Sequence, residues 1–100
     1  MVGRCDVAVD YLIQIVGGTR RDGVWTGPTH NIWGLRGRWR KDAKGHPVHA
    51  WIEQPDGTIV DPARWVFEGC WPYFYRGPAD FYAKATFPIE PEVDYGAENN

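Results

Sequence analysis

At 100 residues the chain makes one small domain, with room for a single hydrophobic core and not for two. Its 43% hydrophobic and 24% charged residues are those of a globular protein, and a net charge of −2 gives no overall basic field to draw nucleic acid or an anionic membrane. Six tryptophans and five tyrosines are many for this length, so part of the aromatic surface is expected outside the core, as a binding wall.

The apolar runs are too short for a membrane span and the N-terminus lacks a signal-like apolar core, which sets the expectation of a cytoplasmic protein. Cys5 and Cys70 are too few for a disulfide framework and lack CxxC spacing, so free thiols in a reducing compartment are expected.

From Cys5 to Val16 the apolar residues Ala8, Leu12, Ile15 and Val16 recur at helical spacing, with Val7 and Tyr11 widening the stripe, and Gly17 and Gly18 end the helix. Cys5 falls three residues before Ala8, in the first turn and on the inward face. Residues 18–30 read as an irregular connection with a short strand at 24–26. Residues 31–39 read as a strand interrupted by Gly34 and Gly37. Over residues 33–41 Arg36, Arg38 and Arg40 interleave with Trp33 and Trp39, a pattern that suits single-stranded nucleic acid, but alternation also sends arginines to water and tryptophans to a core. The overall negative charge favours the second reading.

After an exposed turn at 40–47, residues 48–54 alternate cleanly, with Val48, Ala50 and Ile52 on one face and His49, Trp51 and Glu53 on the other. Residues 58–61 return antiparallel, Val66 and Phe67 prolong the hairpin, and residues 73–76 form a further strand. The expected architecture is α+β: one main N-terminal helix packed on a small antiparallel β-sheet. A single domain spans 1–94 and a disordered tail 95–100.

The turn decides which side chains of the hairpin share a face. Pro55-Asp56-Gly57 suits a type I turn followed by a left-handed glycine, the three-residue loop with a bulge. Gln54 then opposes Thr58 and Trp51 opposes Asp61, which puts Asp61 on the face of His49, diagonally and within side-chain reach. A thiol becomes a nucleophile when its thiolate is stabilised by a helix N-terminus and an adjacent imidazolium. Cys5 has the first from its position, and gains the second where the helix packs on the hairpin face that carries His49. Asp61 then orients the ring.

These residues carry a resemblance. "GRCDVAVDYL" is similar to the G-x-C-x-x-x-A helix start of the transglutaminase-like superfamily, and "HAWIEQPDGTIVDPARW" resembles its HAW-x-E…D-P strand pair. About a third of the chain is covered. The resemblance implies a minimal papain-like core of the kind found in small phage and bacterial proteins. It also implies a Cys5-His49-Asp61 triad acting on amide or acyl carbonyls through a thioester, with no cofactor. The Cys5 N–H is one oxyanion donor; Trp25, Asn31 and Trp33 are candidates for the second, and Trp25, Trp33 and Trp51 for the substrate wall. The partner expected is a protein or peptide substrate. The alternative is an inactive domain of the same fold that engages a host protein through its aromatic surface. A metal site at His46 and His49 is disfavoured, because the two residues point to opposite faces of a strand and no CxxC or HExxH accompanies them.

Overall fold

The computed structural model describes residues 5–30 and 40–91, and for Cys5 and Asp6 the backbone alone. Helix α1 (Cys5–Val16) is followed by strands β1 (Thr19–Trp25), β2 (Val48–Glu53) and β3 (Ile59–Asp61), the short helix α2 (Arg64–Glu68), and strands β4 (Tyr75–Gly77) and β5 (Tyr82–Ala83). The strands form one antiparallel sheet in the order β4-β3-β2-β1-β5. This is the expected α+β arrangement. The strand predicted over 31–39, with Asn31 and Trp33, and the tail 95–100 lie outside the described residues. No helix among the described residues is long and apolar enough to cross a membrane.

α1 buries a narrower stripe than its apolar residues suggest. Val9 and Leu12 are buried, with Ile13 and Val16 packed beside them, against Ala50, Ile52 and Val60 of the sheet. This is the i, i+3, i+4, i+7 set. Val7, Tyr11 and Ile15 remain exposed, because a single helix lying on a sheet presents only one stripe to it. Each fully buried aliphatic side chain contributes about 1.5–3 kcal/mol, so Val9, Leu12 and Ile52 account for much of the helix–sheet adhesion. Gly17 takes the left-handed conformation (φ 76°) that ends the helix.

β1 begins five residues earlier than its sequence pattern suggests. Arg20 and Asp22 are poor strand formers, but pairing with β2 from Thr19↔Glu53 to Val24↔Val48 holds them extended. Gly23 is required there: a Cβ would run into the Ala83 carbonyl and the Trp51 ring, so glycine is what lets β5 approach β1.

The hairpin has the predicted register. Ile52 pairs with Val60 and Glu53 with Ile59, Gln54 N–H donates to Thr58 O at 2.8 Å, and Gly57 sits at φ 88°. Beyond β3 the chain departs from expectation, since residues 64–68 form a helical turn and do not extend the hairpin. Ala63 N–H donates to Asp61 Oδ1, Arg64 pairs with Glu68 one turn on, and Gly69 caps the end at φ 71°. The segment predicted over 73–76 appears as β4, paired to β3 with Asp61↔Tyr75.

The turn at 40–47 is tied down by a buried carboxylate. Asp42 Oδ1 accepts the Lys44 and His46 N–H groups, and Oδ2 accepts that of Thr86. An acid that reads as one more charge in a basic loop thus fastens the turn to the distant 86–90 segment.

Candidate functional site

His49 and Asp61 meet as the hairpin register requires. Nε2 of His49 lies 2.6 Å from Asp61 Oδ2, and both side chains are fully buried. Two further donors reach the same carboxylate: Tyr82 Oη at 2.8 Å from Oδ2 and the Ala63 N–H at 2.8 Å from Oδ1. A carboxylate only accepts, so with a phenol and an amide both donating to it, the imidazole completes the set by donating Nε2–H. Nδ1 is then the ring nitrogen without a proton, the one with base character.

The pair sits in an aromatic layer. Phe67 meets the His49 ring edge-on at 4.9 Å, Trp51 lies at 5.9 Å and Tyr82 stacks at 6.1 Å. Trp25 stacks on Phe67 at 5.1 Å and meets Tyr82 edge-on at 5.7 Å. Behind Tyr82, the Arg64 guanidinium lies over the Tyr75 ring at 3.9 Å. Burial pushes the Tyr82 phenol well above its ordinary value and the Asp61 charge adds to this, against a smaller downward pull from Arg64. Tyr82 is therefore a protonated donor at all ordinary pH.

Strand alternation separates this layer from the main helix. Ala50, Ile52 and Val60 face α1, so His49, Trp51 and Asp61 project from the opposite side of the sheet, where Phe67 of α2 and the Tyr82 side chain of β5 meet them. The expectation that the helix covers the His49 face is thus corrected. Aliphatic Ala50 and Ile52 match Val9 and Leu12, whereas the aromatic face is filled by Phe67, Trp25 and Tyr82. The helix nevertheless runs toward the His49 end of the sheet. Its C-terminus is held at the other end, where Gln54 Nε2 donates to Gly17 O at 3.1 Å, and its 12 residues span about 18 Å, close to the length of β2. Cys5 is the first residue of the helix, four residues before Val9.

The tryptophans named for substrate contact are placed differently. Trp25 is 1% exposed and its indole N–H donates to Pro28 O at 3.0 Å, while Trp51 is also buried. Both belong to the core around His49, which removes the Trp25 indole as a free oxyanion donor. Trp33 and Asn31 fall outside the described residues. Among the described residues the exposed aromatics include Trp71 (88%), Phe87, Tyr11 and Phe74. Cys70 is a free, exposed thiol beside Glu68; desolvation and that carboxylate push its pKa up, which makes it a poor thiolate. Among the described residues no three His, Cys, Asp or Glu side chains are grouped to hold a metal.

Sequence reasoning missed Tyr82 and Arg64. Arg64 stands two residues after Pro62, and its i, i+4 relation to Glu68 marks a helical turn. Tyr82 carries no local signal, because only the β1–β5 pairing brings it across the sheet. No protein-family model, curated protein or solved structure shows significant similarity to the chain.

Proposed function

We propose that the protein is a cysteine-dependent acyl-transfer enzyme acting on amide or peptide carbonyls, with Cys5 as nucleophile, His49 as general base and acid, and Asp61 as the group that orients His49. The observation that carries this reading is the buried hydrogen bond from His49 to Asp61, set on the face and in the register that the hairpin turn dictates. In the reaction, the Cys5 thiol proton passes to His49 Nδ1 as sulfur bonds to the carbonyl carbon. The proton then goes to the departing amine as the C–N bond breaks. A thioester remains; water or a second amine attacks it with His49 again taking the proton, the C–S bond breaks, and His49 returns the proton to the Cys5 sulfur. Cleavage, deamidation and amide transfer share these steps and differ in the acyl acceptor. The reading requires Cys5 to reach His49 around the Val48 end of β2, since the body of α1 lies on the other face.

The test is the pH dependence of Cys5 alkylation by iodoacetamide, followed by mass spectrometry with Cys70 as the internal reference and repeated in His49→Ala. A Cys5 that reacts well below the ordinary thiol pKa of about 8.5, and loses that advantage without His49, is the expected result. An ordinary Cys5 profile unaffected by His49→Ala overturns the reading.

A second reading has its own observation. Trp71, Phe74 and Phe87 stand exposed, as a binding domain that uses its aromatic surface to hold a host protein would require. Under that reading Cys5→Ala leaves the biological effect intact, and substituting Trp71 and Phe74 abolishes it.

A further inference from the structure

The buried pair has a third member. Tyr82 Oη and His49 Nε2 both address Oδ2 of Asp61, at 2.8 and 2.6 Å, so two donors share one oxygen. The backbone before Tyr82 is held in an uncommon conformation: Phe81 takes φ 73°, a region that bulky residues rarely adopt. Thr26 N–H donates to Phe81 O at 2.9 Å, and the Phe81 ring packs at 5.5 Å from Trp25. Such strain persists only where surrounding contacts over-determine it, and here it directs the phenol across the sheet to Asp61.

We propose that Tyr82 is a positioning residue for His49: its hydroxyl holds the Asp61 carboxylate in line with the ring and takes up part of the charge that would otherwise bind the His49 proton. This deepens the acyl-transfer reading, because the role of the tuning rests on His49 acting as base and acid. With Tyr82 in place, His49 receives enough stabilisation to accept the thiol proton and still releases it to a leaving amine. Without the phenol, Oδ2 serves His49 alone and holds the imidazolium more tightly.

Among the described residues, titratable groups from several elements face the pair. Asp61 comes from β3, Tyr82 from β5, Arg64 from α2 behind Tyr82, and Tyr75 from β4 with its ring 6.2 Å from that of Tyr82. On the same face of β1 and β2, Arg21 and Glu53 are paired to each other at 2.7 Å. Asp10 of α1 is paired to Arg20.

The experiment is a side-chain nitrogen NMR titration of His49 in the wild-type chain and in Tyr82→Phe, which keeps the ring and removes the hydroxyl. The expected result is an Nε2–H tautomer for neutral His49 in the wild type, and an upward shift of its titration by on the order of one pH unit in the variant. No shift, or a downward one, in folded Tyr82→Phe overturns the proposal. Should the variant fail to fold, the wild type decides. An Nε2–H tautomer with a solvent-protected Tyr82 hydroxyl proton close to it supports the proposal, and an Nδ1–H tautomer or a freely exchanging hydroxyl refutes it. Alkylation of Cys5 separates this from the catalytic reading. A His49 shift beside an ordinary Cys5 leaves Tyr82 in its positioning role and removes the enzyme; a His49-dependent Cys5 with no shift does the reverse.

Discussion

Removing the Asp61 carboxylate is the perturbation the fold should feel most. Asp61→Ala leaves three donors facing a void at a fully buried position: His49 Nε2–H, the Tyr82 hydroxyl and the Ala63 N–H. Breaking a buried, hydrogen-bonded pair by deleting one partner costs about 3–5 kcal/mol. A domain of this size has about 5–15 kcal/mol in total. At about 5 °C per kcal/mol, the melting temperature should fall by about 15–25 °C, and urea unfolding should show the same loss as a lower midpoint at unchanged slope. Asp61→Asn is the control. It keeps the volume and one acceptor oxygen, so the loss should be smaller, but with that oxygen accepting from His49 and Tyr82 its NH2 group faces the Ala63 N–H, donor to donor. A loss below about 1 kcal/mol for Asp61→Ala would mean that water reaches the carboxylate in solution, and the argument from a buried network would fail.

Two further outcomes follow from groups away from that network. Backbone N–H donation, that of Thr86 foremost, holds the Asp42 carboxyl below its ordinary value of 3.8, against a smaller upward push from burial. A depressed folded-state value contributes stability above the unfolded value and loses it as pH falls through the folded one. The wild type should therefore lose melting temperature on acidification below about pH 4, and its advantage over Asp42→Asn should shrink across the same range; a constant difference refutes the assignment. Gly23→Ala should cost about 1–3 kcal/mol in urea unfolding, because its methyl meets the Ala83 carbonyl and the Trp51 ring. Gly57→Ala, at φ 88° with open space around it, should cost about 1 kcal/mol from backbone preference alone. Equal costs at the two glycines would show that β5 does not press on β1.

Much of the site was legible because its determinants are local. Pro55-Asp56-Gly57 specifies a turn and a bulge, the bulge sets the pairing, and a period of two then places Asp61 beside His49 with no reference to the rest of the chain. The start of α1 at Cys5 and its end at Gly17 were similarly local, as apolar spacing and a left-handed glycine. The helical turn after Asp61-Pro62 differs from the strand that Val66 and Phe67 suggest; the Arg64–Glu68 pair and the Gly69 cap accompany the helix instead. Trp25 and Trp51 are core residues and not a substrate wall, a distinction that tryptophan composition alone does not carry.

By itself the sequence determined a helix begun by Cys5, an antiparallel hairpin, and the meeting of His49 with Asp61. Each of these follows from residues a few positions apart. Tertiary structure alone decided which face of the sheet α1 would cover, that Asp42 would fasten a loop to Thr86, and that Tyr82 would become the third donor around Asp61. Those outcomes depend on side-chain shape and on strand pairings between segments 20 to 60 residues apart. Local propensity carries no record of which surfaces will meet when the chain closes.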